Sequence, residues 1–146
     1  MATTAQARTP AHLWIIGVLG LLWNAFGCYD YLMTNLKNQA YLAQFTPDQL
    51  AYFDSLPTWL TAFWAFGVWG GLAGSILLLV RSRYAVWAFA LSCIGAVVGL
   101  GYQIFVMPMP ASMKQGMMGV MPWVIIAVTI FLLWYAHGAE KKGLLR

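Results

Sequence analysis

The sequence LLWNAFGCYDYLMT, residues 21–34, joins the end of a membrane-spanning helix to a group of polar side chains. It closes an apolar run from Leu13 to Met33, which suits one crossing because a helix needs roughly 20 residues to span the hydrocarbon. Polar groups in hydrocarbon are costly and normally face a bundle interior or a water-filled cavity. We therefore expect contacts with a ligand or a partner here, and at a glutamine near the end of the third apolar run. The candidate contact residues are Asn24, Cys28, Asp30, Tyr31 and Gln103.

The composition identifies an integral membrane protein. Of the 146 residues, 62% are hydrophobic and only 8% are charged, whereas soluble domains carry about 25% charged residues. So few charges cannot cover the surface of a water-soluble fold. The net charge of +4 lies on segments that flank the apolar runs, so it gives no reason to expect a nucleic-acid partner. The expected partner is the lipid bilayer.

Four apolar runs predict an all-α membrane protein, an up-down bundle of four transmembrane helices in a single domain, 1–146. The spans are expected at about 13–33, 59–80, 84–107 and 120–137. Because no Gly or Pro interrupts residues 28–46, the first helix is free to continue beyond the membrane through Asn35–Gln44.

A short helix is predicted between the first two spans. Thr46 provides an N-cap, Pro47 suits the first helical position, and Gln49 stands three residues after the cap, as in a capping box. These signals predict a helix at about 47–55 that lies on the outward membrane surface.

Small residues repeat along the faces of the spans. The second span contains two overlapping GxxxG patterns, and the first span carries glycines on the face of Asn24. Small residues at this spacing let another helix approach closely. The predicted packing residues are Gly20, Gly27, Gly67, Gly70, Gly71, Gly74, Gly95 and Gly99.

Two interpretations of the polar residues remain open. Asn24 either forms a hydrogen bond between helices or contacts a ligand. Asp30 either reaches the membrane interface or serves as a functional carboxylate. A polar track that joins Asn24, Asp30 and Gln103 would favour transport of a small solute.

The loop before the fourth span is rich in methionine. Met109, Met113, Met117 and Met121 recur every four residues, and soft thioether ligands select Cu(I). Against a copper site, Gly116 and Gly119 weaken a helix here, and methionine is also a common filler of gaps between packed side chains. No other cofactor is indicated. The sequence holds no nucleophile–base–carboxylate set, phosphate-binding loop or pair of acids, so we expect no enzymatic activity.

The distribution of lysine and arginine predicts the orientation. Six of these residues flank one side of the predicted bundle and two flank the other, and cytoplasmic loops normally carry the excess. Both termini are therefore expected in the cytoplasm. The six are Arg8, Arg81, Arg83, Lys141, Lys142 and Arg146, and the two are Lys37 and Lys114.

Two stretches resemble a family of small proteobacterial inner-membrane proteins that are sometimes labelled "sugar transporter". They read WNAFGCYDYLMTNLKNQAYLAQFTPDQLAYF (residues 23–53) and AFWAFGVWGGLAGSILLLVRSR (residues 62–83). The resemblance implies four helices and a location in the bacterial inner membrane. It supplies no functional residues.

Three functions follow as hypotheses. The first is a non-enzymatic membrane component, an accessory or assembly subunit that packs through its glycine-rich faces in a homo-oligomer or a larger complex. The second is a small-solute transporter, with sugar as one candidate substrate, that acts as an oligomer with an outward polar site. The third is outward binding of Cu(I) by the methionine-rich loop.

Overall fold

A computed structural model describes residues 10–107, 110–111, 114 and 116–145, without the side chains of residues 117 and 118. Within these residues the chain forms six helices, and four of them are long and apolar enough to cross a membrane. The predicted four-helix bundle is thereby confirmed. The helices are α1 (Ala11–Asn35), α2 (Gln39–Leu42), α3 (Pro47–Ser55), α4 (Thr58–Leu79), α5 (Ala85–Phe105) and α6 (Gly116–Lys141).

The four long helices pack in an up-down arrangement in which α4 has two neighbours. It lies against α1 on one side and α5 on the other, and α6 packs against α5. The first three predicted spans agree with α1, α4 and α5. The fourth span was expected at about 120–137, and α6 extends four residues beyond it at each end.

The largest apolar core lies at one end of the bundle. This end holds the start of α1, the turn at residues 80–84 and the end of α6, and we call it the basic end because Arg81, Arg83, Lys141 and Lys142 lie there. Its core contains Leu13, Leu78, Phe89, Ala136 and Leu144, all at most 6% exposed. The opposite end carries the cap segment, residues 36–57, which includes α2 and α3.

The predicted continuation of the first helix through Asn35–Gln44 is wrong, because α1 ends at Asn35. Lys37 adopts a left-handed backbone with φ 55°, and the Asn38 N–H donates to the Met33 carbonyl at 3.1 Å. This is the Schellman pattern that usually uses glycine. A left-handed conformation costs a non-glycine residue about 1–2 kcal/mol. Lysine is therefore not expected in this position, and the sequence does not predict that the helix ends here.

The short helix predicted from the capping box is confirmed as α3. The Thr46 hydroxyl accepts from the Gln49 N–H at 3.3 Å, and the Gln49 side chain accepts from the Thr46 N–H at 3.2 Å. Pro47 occupies the first helical position. Because each of these contacts is made within four residues, the local sequence was sufficient to predict the helix.

Candidate functional site

The amide of Asn24 forms a hydrogen-bonded contact between α1 and α4. Asn24 is 6% exposed, and its Nδ2 donates to the Gly20 carbonyl at 2.8 Å and to Ser75 Oγ at 3.3 Å. The Ser75 hydroxyl in turn donates to the Gly71 carbonyl at 2.9 Å. We call these four residues the Asn24 junction. Its polar groups bind one another, which favours the helix-holding interpretation of Asn24.

Gly71 makes room for this amide. A Cβ atom at position 71 would lie 2.1 Å from Asn24 Oδ1, which is closer than two unbonded heavy atoms can approach. Gly20 is under similar constraint, because its Cβ would lie 3.0 Å from Ser75 Oγ. Glycine at both positions therefore lets α1 and α4 approach closely with a polar pair between them.

Cys28 lies one turn beyond Asn24 and is 5% exposed. Its Sγ is 3.4 Å from the Val68 carbonyl oxygen on α4, a weak hydrogen bond of a kind that buried thiols often make. The neighbouring Gly27 also faces Val68, since a Cβ there would lie 3.1 Å from Val68 Cγ1. The thiol is therefore covered by the chain itself.

Between α4 and α5 the helices touch through their backbones. A Cβ at Gly95 would lie 2.5 Å from the Phe63 carbonyl oxygen and 2.6 Å from the Gly67 nitrogen. The Ser92 hydroxyl donates to the Gly67 carbonyl at 2.6 Å. Gly99 is less crowded, with Phe63 Cβ at 3.8 Å from its Cβ position. Close approach at Gly95 brings the Ser92 hydroxyl within reach of a carbonyl on the facing helix.

Gly70 and Gly74 of α4 also face a neighbouring helix of the same chain, α5. A Cβ at Gly70 would lie 3.1 Å from the Ala88 carbonyl oxygen, and one at Gly74 would lie 2.7 Å from the Phe89 ring. Together with Gly71, these positions are covered by α1 or α5. The glycine-rich faces of α4 are therefore unavailable to a partner helix, which removes the contact surface named in the first functional hypothesis.

Asp30 contacts the cap segment rather than the bundle interior. The Tyr41 hydroxyl of α2 donates to Asp30 Oδ1 on α1, and the Tyr41 ring meets the Tyr29 ring edge-to-face with centroids 5.6 Å apart. Burial raises the pKa of Tyr41, and the hydrogen bond to Asp30 and the charge of that carboxylate raise it further. The phenol thus stays protonated at neutral pH and remains a donor to the carboxylate.

Gln103 contacts the cap segment through α3. The Tyr52 hydroxyl lies 2.9 Å from the Met107 carbonyl oxygen and 3.4 Å from Gln103 Oε1. Gln103 Nε2 is 3.5 Å from the Gly99 carbonyl oxygen. Burial raises the pKa of Tyr52 to about 12, because the charged phenolate is disfavoured away from water. Tyr52 therefore anchors α3 to the end of α5.

Tyr31 belongs to an aromatic contact between α1 and α4. Its ring meets Trp64 and Trp69 edge-to-face, with centroids 5.1 Å and 6.3 Å away. Edge-to-face pairs of this kind place the positive ring edge against the negative face of the partner ring. The arrangement holds the end of α1 against α4.

The structure distributes the five candidate residues among different contacts. Asn24, Cys28 and Tyr31 contact α4, whereas Asp30 contacts α2 and Gln103 contacts α3. Among the described residues, no hydrogen bond joins Asn24, Asp30 and Gln103 into a polar track. The sequence does not mark the two partners in the cap segment, Tyr41 and Tyr52, because aromatic residues near a membrane surface are expected whether or not they bind a polar group.

The methionine positions fall mostly beyond what the structure describes. Met109 and Met113 lie outside the described residues, as does the side chain of Met117, while Met121 is half-buried in α6. Copper binding therefore stays a prediction. Within the described part of the chain, no group of three or more His, Cys, Asp or Glu residues is placed to hold a metal ion.

Comparisons of the chain with protein-family models, with curated proteins and with solved structures found no match. The resemblance to small proteobacterial inner-membrane proteins thus stays a prediction.

Proposed function

We propose that this protein is a non-enzymatic component of a bacterial inner membrane, an accessory or assembly subunit. The observation that supports it is that the polar side chains within the spans form hydrogen bonds with the chain itself. Asn24, Ser75 and Ser92 all donate to groups on the chain's own helices. Among the described residues, every buried side-chain nitrogen or oxygen atom has a hydrogen-bond partner. A bundle whose buried polar groups already have partners within the chain suits a scaffold better than a solute pathway.

The proposed partner, a second copy or another membrane protein, would contact an exposed apolar face. The glycine faces are covered, but large side chains such as Leu22, Phe26 and Trp87 are 62–72% exposed. Apolar exposure of this kind suits lipid or a partner helix equally, since lipid tails are as apolar as leucine. Purification must therefore decide which of them is present.

Native mass spectrometry of the protein purified in a mild detergent tests the proposal. We expect the mass of this chain together with at least one further protein subunit. A lone chain, with or without a small polar molecule attached, would contradict the accessory-subunit proposal.

The alternative is a small-solute transporter, and the polar residues Asp30 and Gln103 near the cap end favour it. An outward-opening cavity that reached Asn24 would admit water to Cys28, one turn away. With Cys93 changed to alanine, Cys28 is the sole thiol. Because it is 5% exposed, we expect no labelling by a membrane-impermeant thiol reagent added to intact folded protein.

A positive control for that experiment is available in the cap segment. Asp54 is exposed on α3, so Asp54→Cys, made with both native cysteines replaced by alanine, should label rapidly. If Cys28 labels at a rate comparable to that control, the bundle is open and the transporter hypothesis replaces the scaffold.

A further inference from the structure

Two basic segments that are far apart in the sequence meet at one end of the bundle. Arg81 Nε donates to the Leu144 carbonyl at 2.9 Å, a contact across 63 positions of the chain. Ala85, Ala139 and Leu144 belong to the same apolar core. The turn after α4 and the end of α6 therefore form one surface of the basic end.

The backbone at Arg81 is in a conformation that glycine adopts without strain. Its φ is 60°, and the following Ser82 N–H donates to the Leu77 carbonyl at 2.8 Å, which completes a Schellman end to α4. The equivalent position after α6 is Gly143, with φ 75°. An arginine in this conformation is strained, and such strain is typical of positions where the side chain has a function. Here the guanidinium joins the two basic segments.

The surface that results is basic and is bordered by aromatic side chains. Arg83 and Lys142 are exposed, and Arg83 lies over the Tyr84 ring at 5.8 Å from its centroid. Trp87, one turn further along α5, is 72% exposed. Glu140 is exposed at this end as well. Among the described residues, it forms no ion pair with these basic side chains.

We propose that this surface binds the headgroup of an anionic phospholipid from the adjoining leaflet. The exposed cations of Arg83 and Lys142 would contact the phosphate, while Arg81 holds the two segments together. Basic clusters between transmembrane helices are a common way to bind anionic headgroups, and tryptophan favours the headgroup level. The exposed apolar side chains of α5 below Trp87 provide a surface for the acyl chains. A phospholipid is favoured over a free anion because only the lipid uses both parts of the surface.

The test is a titration of the full-length protein in detergent with phosphatidylglycerol, with phosphatidylcholine as the neutral lipid and inorganic phosphate as the free anion. We expect phosphatidylglycerol to bind more tightly than phosphatidylcholine, and phosphate alone not to raise the thermal unfolding temperature. In Arg83→Gln/Lys142→Gln, the affinity for phosphatidylglycerol should fall roughly 30-fold, since each interfacial cation contributes about 1 kcal/mol.

The matched control removes the same charge from the other end of the bundle. Lys37→Gln/Lys114→Gln should keep the wild-type affinity for phosphatidylglycerol. Equal losses in both double variants would mean that net charge alone governs binding, and equal binding of phosphatidylcholine would mean that the surface is unspecific. Stabilisation by inorganic phosphate equal to that by the lipid would identify a free anion as the ligand. Each of these results overturns the proposal.

Both substitutions are at exposed positions, and circular dichroism will show whether the double variant folds. If the double variant does not fold, the single variant Lys142→Gln tests the proposal. Its expected loss of affinity for phosphatidylglycerol is roughly fivefold, and wild-type affinity in this folded single variant would equally overturn the proposal.

Discussion

At the residue scale, Gly71 and Asn24 depend on each other. The amide fills the space that a side chain at position 71 would need, with Oδ1 only 2.1 Å from the Cβ position. The Asn24 amide also holds α1 to α4 through Ser75. The effects of substitutions at positions 24 and 71 on the free energy of unfolding are therefore coupled, and a double-mutant cycle measures that coupling.

We expect Gly71→Ala to lower the free energy of unfolding by about 1–3 kcal/mol, because it overpacks a tight contact. Asn24→Ala should cost near 0.6 kcal/mol, roughly the average for such hydrogen bonds in membranes. The double variant should lose less than the sum, since alanine at position 24 frees the space that the new methyl group needs. The measurement is unfolding of the detergent-solubilised protein.

Gly101→Ala is the matched control for that cycle. Gly101 is also helical, but a Cβ there would meet nothing within 4 Å. Alanine in a helix is favoured over glycine by up to about 1 kcal/mol, so this variant should be as stable as wild type or more so. If Gly71→Ala behaves like Gly101→Ala, or if the cycle is additive, the Asn24 junction is not as tight as its geometry indicates.

At the element scale, two tyrosines hold the cap segment to the bundle. Tyr41 donates to Asp30 on α1, and Tyr52 donates at the end of α5. Both tyrosines lie in the cap segment, outside the spans, whereas Asp30 lies near the end of α1. The attachment of the cap segment therefore involves two ionisable side chains.

This attachment should weaken in alkaline solution. The pKa of Tyr52 is raised to about 12, above an unfolded value of about 10. A raised folded-state pKa means that the stabilisation is complete below about pH 10 and is lost as the pH rises towards 12. Hydrogen exchange of the α3 amides, expressed as protection relative to the intrinsic base-catalysed rate at each pH, should show a loss of protection across this interval. Tyrosinate absorbance is recorded in parallel.

Tyr52→Phe provides the comparison for the alkaline experiment. It keeps the ring but removes the hydroxyl, so α3 should exchange faster at neutral pH and depend less on pH between 10 and 12. Identical pH profiles for the variant and the wild type would show that Tyr52 is not the group responsible.

At the scale of the whole molecule, the two ends of the bundle differ in charge. The basic end carries Arg81, Arg83, Lys141 and Lys142, whereas Lys37 and Lys114 lie towards the opposite end. The positive-inside rule predicts that the basic end lies in the cytoplasm. With that orientation the cap segment is expected outside, where reagents that do not cross the membrane would reach it.

Reporter fusions check this orientation. A reporter active only in the cytoplasm should work when fused after Arg146 and fail when inserted at Asp54 in the cap segment. A periplasmic reporter should give the opposite pattern. The reverse result for both reporters would place the basic end outside, and the phospholipid site would then face the outer leaflet.

Features that depend on a few neighbouring residues were determined by the sequence by itself. The four spans follow from runs of apolar side chains, because transfer into hydrocarbon depends on composition over about 20 residues. The α3 helix follows from Thr46, Pro47 and Gln49, whose contacts all lie within four residues. The same local reasoning failed at Lys37, since a left-handed lysine carries no local signal.

Only the tertiary structure decided which polar groups meet. Tyr41 with Asp30 spans 11 positions, Tyr52 with Met107 spans 55, and Arg81 with Leu144 spans 63. Such contacts depend on the rotation of each helix about its axis and on how closely the backbones approach. Helical periodicity places residues on a face of their own helix, but it does not say which other face is opposite. The close packing at Gly71 and Gly95 sets that pairing for α1, α4 and α5, and with it the partners of Asn24 and Ser92.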